Sequence, residues 1–255
     1  MSSVVRKAGF LIHSFGFDPR KFGASAASIL PFLKAYLSAR KVSSENWPLE
    51  LMPALGDRGE SAGSAQGHYF HMDLWAAREV YGGKFGKLVD VGSRVDGYIA
   101  HVLAFREVEV FDVRPMASSV KGMSFTQADM MTPGNLPEGY ADCVSCLHAL
   151  EHFGLGRYGD PLDLNGWSKG LAGLTKILKT GGTLLLAVPV GRQRIEFDAH
   201  RVFHPETILT AAKALGLKLN GIAGVDDNGL FFEEANTEDL AKMNYGCGCF
   251  SFKKL

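Results

Sequence analysis

Chemically useful side chains are concentrated at His148-Ala-Leu-Glu151-His152, where two imidazoles and a carboxylate fall within five residues. A neutral imidazole takes a proton near physiological pH, and a neighbouring carboxylate orients it and stabilises the charged form. The same spacing matches an inverted zinc-protease motif, in which two histidines one helical turn apart share an ion. That motif needs a helix interior and a distant acidic ligand. Here an apolar strand, Ala141–Leu147, runs straight into the cluster, and a glycine-rich loop follows it. The better reading is a proton-handling group at a strand end. His148 is the candidate general base, with Glu151, His152, Arg157 and His200 as positioning candidates. Arg157-Tyr-Gly-Asp160 reads equally well as an ion pair that fixes its loop.

A second constellation is Val89-Asp-Val-Gly-Ser-Arg-Val-Asp-Gly97, where a strand turns into a helix. Such turns recruit nucleotide-like ligands. Twenty residues after Gly92, Asp112 ends the next strand, where a carboxylate can accept from ribose hydroxyls. On dinucleotide spacing Gly92 and Gly97 fit, but Arg94 stands where a second glycine must let the backbone approach a pyrophosphate. S-adenosylmethionine (SAM) has no phosphate and tolerates a bulkier turn. Asp90 is placed to accept from its ammonium group and Arg94 to face its carboxylate. The cofactor-binding set predicted from the turn and the acid is Asp90, Gly92, Ser93, Arg94, Gly97 and Asp112, with SAM favoured over NAD.

The surrounding pattern supplies the elements that hold these residues. From His68 onward, helical periodicity over Tyr69–Val80 is followed by short apolar strands at Lys87–Asp90, Glu107–Asp112, Ala141–Leu147, Thr183–Val188, Leu217–Val225 and Tyr245–Phe252. Helices are predicted over Tyr98–Phe105, over Gly166–Leu178 with a glycine stop at Lys179–Gly182, and from His204-Pro205 to Leu215. Strand–helix alternation specifies a mainly parallel sheet with helices on both faces, and ligands at the carboxyl ends of its strands. The face of the first helix that carries Phe70, Leu74 and Trp75 reads as core. Residues 1–68 differ: Ala24–Arg40 reads as an amphipathic helix interrupted at Pro31, and Trp47–Gly63 as irregular. This segment is expected to be a cap on a domain spanning 69–255.

Composition excludes several classes. Twenty-seven basic residues balance twenty-seven acidic ones, which argues against nucleic acid as partner. No apolar run is long enough to span a bilayer, and the N-terminal stretch up to His13 is too short for a signal peptide. A cytoplasmic protein with no membrane partner is expected. Cys143 and Cys146 lie in one strand and should face opposite ways, while Cys247 and Cys249 share a face but lack two further ligands nearby. All four read as core thiols, no residue is assigned as a metal ligand, and no structural zinc is expected.

Asp90-Val-Gly92, Asp112 and Asp129 resemble the SAM-binding motifs of class I methyltransferases, and Leu178-Lys-Thr-Gly-Gly-Thr-Leu-Leu-Leu186 resembles their late strand. More narrowly, Leu150–Asp160, Asp57–Gly63 and His200–Pro205 resemble an uncharacterised methyltransferase-like family. The resemblance implies a Rossmann-like fold with a seven-stranded sheet whose last strand, Tyr245–Phe252, is antiparallel. It implies SAM as cofactor, with Val113, Asp129, Met130 and Leu147 joining the binding set, and a small-molecule methyl acceptor, read here as an oxygen nucleophile. The Asn/Asp-Pro-Pro-Tyr element used on nucleobase amines is absent, since Ser145-Cys-Leu-His148 stands in its place. Arg94 and Asp96 occupy positions where the family carries glycine. That departure leaves a non-catalytic SAM-binding protein as the alternative, with a metallohydrolase built on His148, Glu151 and His152 behind it.

Overall fold

A computed structural model describes residues 13–255; the N-terminal segment weighed above as a signal peptide lies, up to residue 12, outside the described residues. The chain divides into two compact units, Met1–Ser64 and Ala65–Leu255. In the first, helix α1 spans Pro19–Arg40. It starts earlier than the apolar pattern suggested, because Asp18 accepts from the Arg20 and Lys21 amides at 2.9 and 3.2 Å and Pro19 occupies the first turn. Pro31 sits inside this helix without ending it. Residues 47–63 carry no helix or extended ladder, as read.

The second unit is an α/β sandwich. Helix α2 (His68–Gly82) leads into β1 (Leu88–Val91), whose four residues are all buried. A π-helical turn, Val95–Ile99, and the short helix α3 (Ala100–Leu103) replace the single helix expected there. The strands β2 (Val108–Asp112), β3 (Met123–Gln127) and β4 (Ala141–Leu147) follow. Then come α4 (Gly166–Ile177), β5 (Leu178–Val190), a hairpin of β6 (Arg194–Glu196) and β7 (His200–Val202), and α5 (Pro205–Ala214). The chain closes with β8 (Leu217–Val225), β9 (Phe231–Phe232), α6 (Thr237–Lys242) and β10 (Gly246–Lys254).

The sheet order is β3-β2-β1-β4-β5-β10-β8-β9. The first five strands run parallel, and β10 is antiparallel to both β5 and β8. This is a Rossmann-like methyltransferase-type fold. The two-residue β9 makes the sheet eight-stranded where seven were expected. Two apolar layers cover its faces. Leu171, Leu174, Ile177 and Ile208 from α4 and α5 pack on one side, and Met72, Ala76, Val80 and Val102 from α2 and α3 on the other. Cys143 falls in the second layer and Cys146 in the first, so the two thiols do point to opposite faces.

Three readings need correction. The buried face of α2 is Met72, Asp73, Ala76, Ala77 and Val80; Phe70 is 45% exposed and belongs to the surface. Lys179–Gly182 is not a helix stop, because β5 begins at Leu178 and Gly181, at φ +74°, kinks the strand itself. That strand also runs through Pro189, whose carbonyl accepts from the Phe203 amide at 2.9 Å. Among the described residues no helix is long and apolar enough to cross a membrane.

Candidate active site

Over the carboxyl ends of β1, β2 and β4 lies an open cleft. It sits at the strand-order reversal where such folds bind ligands. Gly92, Arg94, Asp112, Val113, Asp129, Met130, His148 and His152 line it, all from the sequence-predicted set. Phe111, Ala128, Met131 and Phe153 add apolar wall, and Tyr69, Arg114, Tyr158 and Asp160 complete the lining.

The β1 turn explains its own sequence. Gly92 has φ +70°, and a Cβ there would approach that of Ala149 to 2.9 Å, so only glycine fits between β1 and the segment after β4. Beneath it, Asp90 is fully buried. Its Oδ1 accepts from the Ser93 and Ser145 hydroxyls at 2.6 and 2.7 Å, and its Oδ2 from the Ser93 amide at 3.0 Å. Ser93 Oγ in turn accepts from the Leu147 amide at 3.1 Å. Asp90 and Ser93 thus clamp β1 to β4 below the cleft and do not line it. Burial pushes the Asp90 carboxyl up to about 6, against the lowering effect of these hydrogen bonds. Gly97 and Leu147 also lie outside the lining. A Cβ on Gly97 would collide with the Asp73 carboxylate, so packing accounts for that glycine.

Two expected ligand groups are engaged within the protein. Arg94 forks onto Asp96 through Nε and Nη2 at 3.0 and 2.8 Å and lies 4.8 Å above the Tyr69 ring. Asp112 takes three bonds from Arg114: Nε to Oδ1 at 3.0 Å, Nη2 to Oδ2 at 2.7 Å and the amide to Oδ1 at 2.9 Å. The Arg114 guanidinium also sits 4.6 Å over the Tyr158 ring at the cleft. Asp129 Oδ1 accepts from the Met131 amide at 2.8 Å, which fixes the loop after β3.

Into the cleft lining β4 delivers His148 in a left-handed conformation, φ +51°, the only non-glycine residue described with positive φ. Such backbone strain concentrates at functional positions. The residue is therefore not in a helix with His152, which removes the shared-face geometry of the protease motif. His148 Nδ1 meets Glu151 Oε1 at 2.6 Å, with both side chains buried. Burial pushes Glu151 up, but the charge and hydrogen bond of His148 outweigh it and hold the carboxyl below its usual range. The other nitrogen, Nε2, faces His68 Nδ1 at 3.1 Å. Burial first, and the His148 charge second, push His68 down to about 4, so this ring is neutral at physiological pH.

His68 is the candidate residue that sequence reasoning missed. It opens α2, where Gly67 (φ +88°) donates its amide to the Gly229 carbonyl at 3.0 Å. Gly229, at φ +79°, permits that approach, since a Cβ on it would lie 2.9 Å from the Gly67 nitrogen. The His68 ring stacks between His148 and Tyr245, at 5.1 Å from each, and hydrogen-bonds the Tyr245 main chain. Cys247, two residues into β10, completes the group: its Sγ, His68 and His148 each offer one ligand atom within 4.8 Å of the others. The expectation that Cys247 lacks nearby ligands is corrected here, because the fold brings in two histidines from elements far away in sequence.

Of the remaining candidates, His152 lines the cleft, while Arg157 and His200 lie outside its lining. His152 donates from Nδ1 to the Ala199 carbonyl at 2.7 Å. Arg157 reaches the same carbonyl at 3.3 Å and forms no ion pair with Asp160, which instead accepts from the amides of Gly154, Gly156 and Tyr158. His200 packs 5.0 Å from the Tyr245 ring and 3.5 Å from Glu196, outside the cleft lining. Arg201 is buried and donates to the carbonyls of Glu151, Phe153 and Leu164, locking the cluster's loop.

Comparison with known proteins agrees with this architecture. Residues 106–212 match a family described as "Caenorhabditis protein of unknown function", DUF268. No curated protein matches by sequence. Among solved structures, the 1,6-didemethyltoxoflavin-N1-methyltransferase of Burkholderia thailandensis is 12% identical, with TM-score 0.53, over 94% of this chain and 92% of its own. The N-methyltransferase NodS of Bradyrhizobium japonicum is 12% identical, with TM-score 0.52, over 86% and 97%. The [4+2]-cyclase SpnF is 14% identical, with TM-score 0.54, over 89% and 93%. The methyltransferase-type fold is thereby shown. A cyclase among these neighbours illustrates that the fold alone does not fix the reaction.

Proposed function

We propose that this protein binds SAM in the cleft over β1, β2 and β4 and transfers its methyl group to an oxygen of a small polar acceptor. The carrying observation is that Gly92, Asp112, Asp129 and His148 line one cleft. In this reading the first three take the amino-acid, ribose and adenine portions of the cofactor. NodS and the toxoflavin enzyme, which share the fold, are described with S-adenosylhomocysteine bound, which supports the same ligand class here.

Methyl transfer from a sulfonium is an in-line displacement. An acceptor oxygen lone pair forms the new C–O bond, the C–S electron pair returns to sulfur, and the acceptor proton must leave. The protein's main contribution is alignment of the two partners. The proton goes to the Glu151–His148–His68 chain, whose buried carboxylate stabilises an imidazolium at His148. Both His148 nitrogens are engaged in the resting structure, so the acceptor reaches this chain by displacing the contact with His68. Tyr69 and Tyr158, on the cleft lining, suit an acceptor with a ring or a hydroxylated face.

Thermal-shift and calorimetric titration with SAM, S-adenosylhomocysteine and NAD tests the cofactor. Stabilisation by the first two and not by NAD is expected; no response to SAM overturns the reading. Mass spectrometry of sugars and phenols incubated with protein and SAM then tests turnover. Tight SAM binding with no acceptor methylated would favour a non-catalytic SAM-binding protein.

A further inference from the structure

The pair of facing imidazoles poses a question of protons. Glu151 Oε1 lies 2.6 Å from His148 Nδ1 with both side chains buried, so that nitrogen carries the hydrogen of their bond. In a neutral His148, Nε2 is then a lone pair. The atom it faces at 3.1 Å is Nδ1 of His68, whose ring stacks between His148 and Tyr245. That spacing suits either one shared proton or two lone pairs turned on one electrophile. The Cys247 thiol singles out the second arrangement, because its Sγ comes within 4.8 Å of one ligand nitrogen of each ring.

We propose that His68 Nδ1, His148 Nε2 and Cys247 Sγ form a binding site for a divalent cation of zinc type. Two imidazoles and a thiolate match the ligand preference of zinc and cobalt and disfavour magnesium and calcium. At bond lengths of 2.0–2.1 Å and a tetrahedral angle, two ligating nitrogens sit about 3.3 Å apart, close to the spacing present. Binding therefore requires mainly that Cys247 close in. Glu151 on His148 Nδ1 is the carboxylate that typically fixes the tautomer of a ligating histidine. Three protein ligands leave one tetrahedral position open, the pattern of reactive zinc centres and not of purely structural ones. The site stands independently of methyl transfer. It bears on the proposed function in one respect: an acceptor oxygen on the open position would be acidified by the ion, in place of deprotonation by His148.

The test uses the full chain, stripped of metal and titrated with cobalt(II) alone. The expected result is a thiolate-to-cobalt charge-transfer band in the near ultraviolet with strong visible bands of four-coordinate cobalt, all lost on adding zinc. Cys247→Ser abolishes the charge-transfer band, while Cys249→Ser, on the neighbouring inward position, retains it. His68→Ala, at the start of a helix, weakens cobalt binding by more than the roughly 10–100-fold that losing a ligand's supporting hydrogen bond costs. It serves as the second variant if the buried serine impairs folding, which circular dichroism reports. A folded wild-type protein with no charge-transfer band overturns the proposal and leaves a proton shared between the rings. A band that survives both Cys247→Ser and His68→Ala also overturns it. SAM binding is measured separately, so failure of this site leaves the cofactor reading intact.

Discussion

Arg114 and Asp112 make opposite predictions for one ligand. If Asp112 accepts from ribose hydroxyls, Asp112→Ala removes hydrogen bonds to a charged group, about 1.5–3 kcal/mol. The wild-type carboxylate, however, must first leave the Arg114 fork. Asp112 is 14% exposed and Arg114 50%, so solvent screens the pair and its worth is about 0.2–1 kcal/mol. The net loss for Asp112→Ala is then about 0.5–2.8 kcal/mol, or roughly 2–100-fold in affinity. Arg114→Gln should tighten SAM binding by about 1.4–5-fold, because the competitor is gone while the Arg114 main-chain amide still steadies Asp112. Calorimetry on the two variants at low and moderate salt measures both, and salt should shrink the gain from Arg114→Gln. A sulfonium ligand reinforces that sign, since removing a cation beside the cleft favours a cation within it. If Arg114→Gln weakens SAM binding as much as Asp112→Ala, the guanidinium is itself a ligand contact and the reasoning fails. Unchanged affinity in a folded Asp112→Ala removes the ribose assignment.

Three further outcomes follow from the geometry. His148→Ala should leave SAM affinity nearly unchanged while lowering turnover on an identified acceptor by about 10²–10⁴-fold; full turnover would take His148 out of the mechanism. Gly92→Ala should cost about 2–4 kcal/mol, combining left-handed backbone strain with the 2.9 Å approach to Ala149, and chemical denaturation showing under 1 kcal/mol would refute the close-packing account. Asp73 is buried, and desolvation raises its carboxyl from 3.8 to about 6. Its folded value is above its unfolded one, so the native state binds the extra proton and the wild type loses stability as pH rises from about 4 to 6. Asp73→Asn should therefore be more stable than wild type by about 1–3 kcal/mol at pH 8, with the difference vanishing below pH 4; an equal difference at both pH values would refute it.

The sheet was legible where burial dictates sequence. Leu88–Val91 and Ala141–Leu147 are covered almost entirely on both faces, and both read as short, mainly apolar runs, broken by Asp90 in the first and by Asp142 and Ser145 in the second. Met123–Gln127 went unread for the opposite reason. It is the edge strand, only half-buried, and Met-Ser-Phe-Thr-Gln carries little more apolar signal than a loop. The start of β5 was hidden by Lys179-Thr-Gly-Gly, whose composition favours a turn. Pairing of Thr183 onward with both β4 and β10 carries the backbone through it. Local preference lost to the ladder there, as tertiary context commonly overrides propensity.

Legibility of the site divides along the same physical line. Residues contributed by one turn or one strand end were found, because their spacing is fixed by the backbone between them: Gly92, Asp112, Asp129, His148 and Glu151. Engagement within the protein was not visible. Nothing in the spacing says that Asp90 turns inward to Ser93 and Ser145, or that Arg114 covers Asp112. The His68–His148–Cys247 group is the extreme case, since no backbone periodicity links positions 68, 148 and 247. What links them is a close approach of two glycine backbones, Gly67 and Gly229, which fixes where α2 begins, and the alternation of β10, which turns Cys247 toward that helix. The sequence did carry a trace of both: a glycine immediately before the first histidine of a helix, and a cysteine at an inward position of the last strand. Each trace alone reads as packing. Their chemistry emerges only when the parallel sheet sets the end of β4 beside the start of the helix that precedes β1.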